Sequence, residues 1–221
     1  MNISYRLVII IAVFITCLIT ANIIAVKVIG LGPFILPAAI FVFPLSYIFG
    51  DVLTEVYGYQ VARRVIWLGF ACNLIFVIFA GVGQVLPPAP FWGDQEAYRS
   101  ILGYAPRLLA ASFCGYLAGE FANSFLLARM KMLTRGRWLW SRTIGSTVVG
   151  QGLDTSIFIT LAFIGTPQFV PVMILYHWLA KTAIEAVLTP ATYAIVNWLK
   201  QREGIDSYDY ETRFNPFLIS G

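Results

Sequence analysis

An all-α membrane protein, built as a bundle of six transmembrane helices, is the fold class this sequence predicts, and three observations carry it. Hydrophobic residues make up 59% of the 221 and charged ones only 12%, against roughly 25% charged in a soluble domain. Residues 7–26, 28–50 and 65–93 hold no charged side chain, and apolar runs of ~18 or more residues mark membrane-crossing helices. Between Arg142 and Lys200 only Asp154, Lys181 and Glu185 are charged, each inside sequence apolar enough to cross.

The first span, 7–29, holds an apolar run of about 20 residues, longer than the ~7–15 of a secretory signal, and no small-residue cleavage site follows. It is expected to remain as a helix. The second, 33–50, is short and carries Pro33, Pro37 and Pro44. A bent or broken helix is expected there, continuing through Asp51 and Glu55 to Gly58. The third covers 64–86. Residues 87–104, with Pro87, Pro88, Pro90 and Gly93, read as a loop. The remaining spans are 105–128, 143–165 and 170–198. Residues 1–200 are thus expected to form one transmembrane domain and 201–221 a cytoplasmic tail.

Lysine and arginine sort by side. With the N-terminus inside, the inner segments hold Arg6, Arg63, Arg64, Arg129, Lys131, Arg135, Arg137, Arg142, Lys200, Arg202 and Arg213. The outer side holds Lys27, Arg99 and Arg107. Positive charge concentrates in cytoplasmic loops, so both termini are expected in the cytoplasm. Trp138, Trp140 and Trp198 lie where interfacial anchors belong. The same rule accounts for the net charge of +4 without nucleic acid, since no basic stripe sits on a soluble face. Cys17, Cys72 and Cys114 fall in three different apolar segments, with neither metal-ligand spacing nor a disulfide framework. A short echo pairs Ala21-Asn22 ahead of Lys27 with Ala122-Asn123 ahead of Arg129, and Gly50-Asp51 with Gly152-Leu153-Asp154. It is either chance or the trace of two inverted three-helix repeats.

A charge at bilayer depth costs about 2.5–3.5 kcal/mol on insertion scales and marks a functional site by default. Asp154 stands at the middle of the fifth span, with Gln151 three residues earlier on the same face. Gly150 and Gly152 flank Gln151 and serve either close helix packing or backbone opening towards a ligand. On the sixth span His177, Lys181 and Glu185 form a stripe at i, i+4 and i+8. Lys181 and Glu185 can pair, in which case they fix packing alone, but Asp154 then has no counter-charge. Two acids and one lysine leave a negative charge for a proton, a cation or a hydrogen-bond-donating ligand. Glu120 and Asn123 share a face of the fourth span, and Asn22 and Asn73 lie near mid-depth in the first and third. Asparagines in membrane helices also serve as interhelical glue. Near the outer end, His177 has interfacial packing as its commoner role. Asp51 and Glu55, close to Arg63 and Arg64, form either a cytoplasmic ion-pair gate or a solvated helix end.

The absences narrow the class. No GxxxxGK[ST] phosphate loop, HExxH zinc motif or GxSxG elbow is present, so neither ATP hydrolysis nor an enzyme is expected, and no cofactor or metal is called for.

Four segments carry a family resemblance: FPLSYIFGDVLTEVYGYQVARRVIW (Phe43 to Trp67), VVGQGLDTSIFITLAFIG (Val148 to Gly165), HWLAKTAIEAVLTPATY (His177 to Tyr193) and IDSYDYETRFNPF (Ile205 to Phe217). Together they resemble the queuosine precursor transporter family, also called the vitamin uptake transporter family. The resemblance implies six helices in the bacterial inner membrane. It also implies uptake of 7-cyano-7-deazaguanine, 7-aminomethyl-7-deazaguanine or a queuine-type base for tRNA modification. The site chemistry suits such a ligand. A deazaguanine presents an N–H beside an exocyclic NH₂, and a carboxylate accepts both. Asp154 or Glu185 is suited to that edge, and Gln151, Lys181 or an asparagine to the neighbouring carbonyl. Phe158 and Trp178 are the candidate aromatic platforms. The leading expectation is a secondary transporter of a small deazapurine, embedded in lipid, with which a coupling proton or ion and a homodimer are compatible but not indicated by any residue. The alternative is the substrate-binding membrane subunit of an energy-coupling-factor-type transporter that needs separate ATPases.

Overall fold

The computed structural model describes residues 4–31, 34–103, 106–165, 169 and 171–218. Helix α1 (Tyr5–Ile24) starts at Ser4, whose hydroxyl accepts from the Leu7 amide at 3.1 Å, an N-cap that satisfies one of the free amides of the first turn. Leu7, Ile10, Phe14, Leu18 and Ala21 are buried, the spacing of one helical face. Exposed Val8 and Ile9 look outward.

The end of the first expected span, after Ile24, and the start of the second are corrected. Instead of helix to residue 29, strands β1 (Val28–Leu31) and β2 (Phe34–Pro37) pair antiparallel, with Val28 opposite Pro37 and Leu31 opposite Phe34. Glycines at 30 and 32 and Pro33 weaken a helix here, and the β-branched Val28 and Ile29 favour an extended chain. A 3₁₀ turn (Ala38–Phe41) then leads into α2 (Phe43–Val52), with Pro44 tolerated in the first turn, where its missing N–H costs nothing. The helix continues as one π-helical stretch, Leu53–Tyr57, and stops at Gly58 with φ of 88°, a conformation natural to glycine. The continuation to Gly58 is as expected.

Helix α3 (Tyr59–Val85) follows. The expected loop 87–104 contains a short exposed helix, α4 (Gln95–Leu102). The three remaining helices, α5 (Pro106–Leu133), α6 (Leu139–Phe163) and α7 (Val172–Glu203), are longer than expected at their basic ends. An ion pair from Arg6 to Glu203 at 3.1 Å ties the start of α1 to the end of α7. At that same end, called basic below, α2 and α5 finish and α6 begins.

Among the described residues, five helical stretches are long and apolar enough to cross a membrane: Tyr5–Ile24, Ala38–Tyr57, Tyr59–Val85, one that includes α5, and Val172–Glu203. The chain is a multi-pass, helical membrane protein. Helix α6, although 25 residues long, is not one of the five. It buries Arg142, Thr143, Ser146, Thr147, Gln151 and Thr155. Polar residues on a membrane helix face the bundle interior, and that is where α6 puts them.

Helices α5 and α6 press together through glycine. A Cβ added to Gly119 would meet the Asp154 Cβ at 2.8 Å and the Gly150 carbonyl oxygen at 2.9 Å, and one on Gly150 would meet the Asn123 Cβ at 2.8 Å. Gly115 and Gly119 are spaced as GxxxG, the small-residue pattern that lets helix backbones approach. The expected tail folds back along the basic end. Asp209 accepts the Tyr59 amide on both carboxylate oxygens at 3.1 Å, capping α3. The Ser207 amide donates to the Val56 carbonyl at 3.1 Å.

Candidate functional site

Two polar clusters occupy the bundle, one at its middle and one at the basic end. The middle cluster begins with α2 and α5. Asn123 Nδ2 donates to Asp51 Oδ1 at 2.7 Å, and a Cβ on Gly50 would lie 3.2 Å from Glu120 Oε2. The glycine before Asp51 thus lets the Glu120 carboxylate lie against the α2 backbone. Glu185, 1% exposed, comes from α7 and interacts electrostatically with Asp51 and Glu120. Tyr47, one turn before Asp51, interacts with Asp154, Glu120 and Glu185.

The ion pair of the site is not the one along α7. Lys181 Nζ donates to Asp154 Oδ2 at 2.8 Å across α6 and α7, and it lies 4.8 Å from the centre of the Phe43 ring. Both carboxylate oxygens of Glu185 are buried without a hydrogen-bond partner, as are Asp51 Oδ2, Glu120 Oε2, Asn123 Oδ1 and Gln151 Oε1. Buried polar atoms are normally satisfied, and each exception calls for a role. The oxygens on Glu185, Glu120, Asn123 and Gln151 are acceptors suited to a ligand's N–H donors, and the buried hydroxyls of Thr147, Thr155, Thr182 and Thr192 are likewise without partners.

The remaining expected site residues separate into groups. Gln151 is buried one turn before Asp154 on α6, and Asn73 is buried on α3 with its Oδ1 unpartnered. Asn22 is half-buried in the last turn of α1. The Phe158 Cβ is 3.4 Å from a Cβ position on Gly115, so Phe158 packs at the α5–α6 crossing. Trp178 Nε1 donates to the Val148 carbonyl at 2.8 Å, and its ring covers Gly152. His177, half-buried, lies one turn before Lys181 and interacts with its charge.

The expected gate is rearranged. Asp51 belongs to the middle cluster, and Glu55, fully buried, anchors the basic end. Arg142 grips Glu55 with two bonds, Nε to Oε2 at 2.9 Å and Nη2 to Oε1 at 2.8 Å. Lys200 donates to Glu55 Oε1 at 2.6 Å, and Lys131 stands 3.5 Å from the same oxygen. Asp206 of the tail pairs with Lys131 at 2.5 Å and with Lys200 at 2.9 Å. The partner expected for Glu55, Arg63, instead donates to the carbonyls of Arg213 and Asn215 at 2.9 and 2.8 Å. Arg64 is exposed. A solvated helix end is also excluded, because Asp51 and Glu55 are 1% and 0% exposed. At Asp206, burial alone would raise the carboxyl's pKa. The hydrogen bonds and charges of Lys131 and Lys200 outweigh it and hold the group below its ordinary value.

Sequence reasoning missed Tyr47, Phe43, Lys131, Arg142, Lys200 and Asp206. Tyr47 had a readable signal, since it precedes Asp51 by four residues and so shares its helical face. The basic residues were hidden inside the count of inner charges.

The family model described as "Putative vitamin uptake transporter" matches residues 37–195, a stretch that holds Asp51, Glu55, Glu120, Asn123, Asp154, Lys181 and Glu185. The chain is 32% identical over 151 residues to the "Probable queuosine precursor transporter" of Bacillus subtilis (strain 168), covering 65% of this chain and 64% of that protein. It is 25% identical over 145 residues to the "Queuosine precursor transporter" of Escherichia coli (strain K12), covering 66% and 62%. The matched stretch therefore spans less than two thirds of either relative's length. No solved structure matches the chain. The family match takes in most of the bundle, the middle cluster and Glu55, Lys131 and Arg142 of the basic-end cluster, and the chain belongs to the vitamin uptake transporter family, a family of transporters and not of enzymes.

Proposed function

We propose that this protein is a secondary transporter of the bacterial inner membrane that takes up queuosine precursors for tRNA modification: 7-cyano-7-deazaguanine, 7-aminomethyl-7-deazaguanine or a queuine-type base. The observation that carries this reading is the layer of unpartnered acceptors on Glu120, Asn123, Gln151 and Glu185. A deazaguanine offers adjacent N–H and NH₂ donors, and a carboxylate accepts such a pair in parallel. Glu185 and Glu120 are assigned to that edge. Lys181 has N–H groups beyond the one held by Asp154, and these suit the base carbonyl, with Gln151 and Asn123 beside it. Phe158 and the ring face of Trp178 are the stacking surfaces, and Asn22 and Asn73 complete the lining from α1 and α3.

In this reading α6 is the sixth crossing, its polar face turned inward, and both termini are cytoplasmic. Helices α1–α3 and α5–α7 act as two halves of opposite orientation that rock about the site. The Glu55 cluster, with Arg63 holding the tail beside it, closes the cytoplasmic end. His177 marks the outer approach to Lys181.

The test is uptake of labelled 7-cyano-7-deazaguanine, with queuosine in tRNA as the readout, in a host that makes no queuosine precursor and lacks energy-coupling ATPases. The wild type should restore queuosine, and Glu185→Gln should reduce uptake at least about tenfold, since a lost charge-assisted bond is worth about 1.5–3 kcal/mol. A wild type that restores nothing in this host but does so beside such ATPases would make the chain a substrate-binding subunit. Restoration in neither host would overturn the reading.

A further inference from the structure

Titratable side chains run down one face of α2 and its π turn. Tyr47, Asp51 and Glu55 stand at i, i+4 and i+8, exposed by 4%, 1% and 0%. Tyr47 reaches the acids of the middle layer, and Glu55 is the hub of the ion cluster at the basic end. Asp51 is the step between them, two residues before the π-helical stretch. Such stretches occur often at functional sites and loosen the helical ladder locally.

Charge does not balance in the middle layer. Asp51, Glu120 and Glu185 come from three helices, and none has an ion pair among the described residues. Lys181 is held by Asp154 at 2.8 Å. The other titratable groups facing the layer are Tyr47, Tyr116, Cys72, Asp154 and Glu55, and none supplies a positive charge. A buried carboxylate without a counter-charge neutralises itself by taking a proton, and neighbouring carboxylates cannot all ionise together. Asp51, Glu120 and Glu185 therefore do not all carry charge at once, and at least one of them holds a proton. Asp51 is the member equipped to release one. Among the described residues it alone of the three is given a hydrogen bond, from Asn123 at 2.7 Å, and a donated hydrogen bond supports the anion. The buried Oδ2 of Asp51 and Oδ1 of Asn123 remain without partners, so the pair keeps acceptor capacity for an arriving proton.

We propose that Asp51 carries the proton that drives uptake. The carboxylate takes one proton from the outer side to become the neutral acid and returns it on the cytoplasmic side as the anion, one proton moving with each molecule of base. Glu120 and Glu185 stay with the substrate. This rests on the transport reading and adds its energy source.

The experiment uses the full chain in proteoliposomes, with labelled 7-cyano-7-deazaguanine as substrate and a pH-sensitive dye inside. Two measurements are made: substrate exchange at equal pH, and accumulation under an inward proton gradient of about one pH unit. One proton per substrate supports about tenfold accumulation, the ratio set by one decade of proton concentration. Wild type should exchange substrate, acidify the lumen as substrate enters and accumulate up to that limit. Asp51→Asn, at whatever rate it exchanges, should neither acidify the lumen nor carry its substrate beyond equal concentrations. Asp51→Glu, which keeps a titratable group, should recover coupling. Exchange by the wild type without proton movement would overturn the coupling and leave the transport reading standing. Accumulation by Asp51→Asn equal to wild type would overturn the assignment to Asp51. Absence of exchange in the wild type would overturn both. The wild-type measurements hold whether or not a variant folds.

Discussion

Lys181 meets Asp154 and not Glu185 because a Lys-before-Glu pair at i, i+4 is the weaker order on a helix, whereas Asp154 reaches it across the α6–α7 contact at 2.8 Å. The two side chains are 12% and 16% exposed, so the pair is largely desolvated. Breaking such a pair from one side strands a charge, at about 3–5 kcal/mol. Lys181→Met alone should lower thermal stability by that order. Adding Asp154→Asn should restore most of it while uptake stays abolished. Membrane expression, melting temperature and deazaguanine uptake of the two single variants and the double check this, and near-normal uptake by the double would reduce the pair to packing. Of the site, Asp154, Lys181 and Glu185 were legible as isolated charges in apolar sequence. Their pairing was not, since both partners of Lys181 satisfied the same charge count.

At the scale of elements, the α5–α6 contact is set by backbone proximity, not by side-chain volume. A Cβ on Gly119 would come within 2.9 Å of the Gly150 backbone oxygen, and backbone cannot rotate aside. Gly119→Ala should therefore cost about 1–3 kcal/mol, the range for overpacking, and shift Asp154 away from Lys181. A melting curve within error of wild type would contradict this. The tail is held just as specifically. Asp209→Ala removes the acceptor for the Tyr59 amide and should cost about 1–3 kcal/mol for an unsatisfied buried donor, with faster proteolysis after Glu203. Asp206 adds a pH dependence. Its pKa is depressed in the folded state, so its stabilisation is complete above the ordinary carboxylate value of about 4 and is lost as pH falls through the depressed value. Tail protection from protease should thus be flat from neutral pH down to about pH 5 and fall below about pH 4. A loss centred near neutrality would rule out Asp206 as its cause.

At the scale of the molecule, the asymmetry of charge predicts that the basic end faces the cytoplasm. The basic end gathers Arg6, Lys131, Arg142 and Lys200, bound to Glu203, Glu55 and Asp206, while α4 lies at the other end with Arg99. In a background free of Cys17, Cys72 and Cys114, a cysteine at position 96 should react with an impermeant maleimide added to whole cells. One at position 135 should react only after the membrane is opened. Labelling of position 135 from outside would reverse the arrangement and place the Glu55 cluster on the outer side.

The sequence by itself determined the class of the protein, most of its long helical segments and its family. Apolar run length and charge placement are local quantities, and a bilayer reads them locally. The hairpin after α1 was legible only as proline and glycine, because a single turn of chain can satisfy its backbone as strand or as helix. Tertiary structure alone decided which acid Lys181 meets, that Asp51 faces Asn123, and that Glu55 draws cations from α5, α6 and α7. Those partners lie 27 to 145 residues apart in the chain. Their pairing depends on the glycine-set approach of α5 to α6 and on the irregular turn of α2, neither of which is encoded in the spacing of the charges themselves.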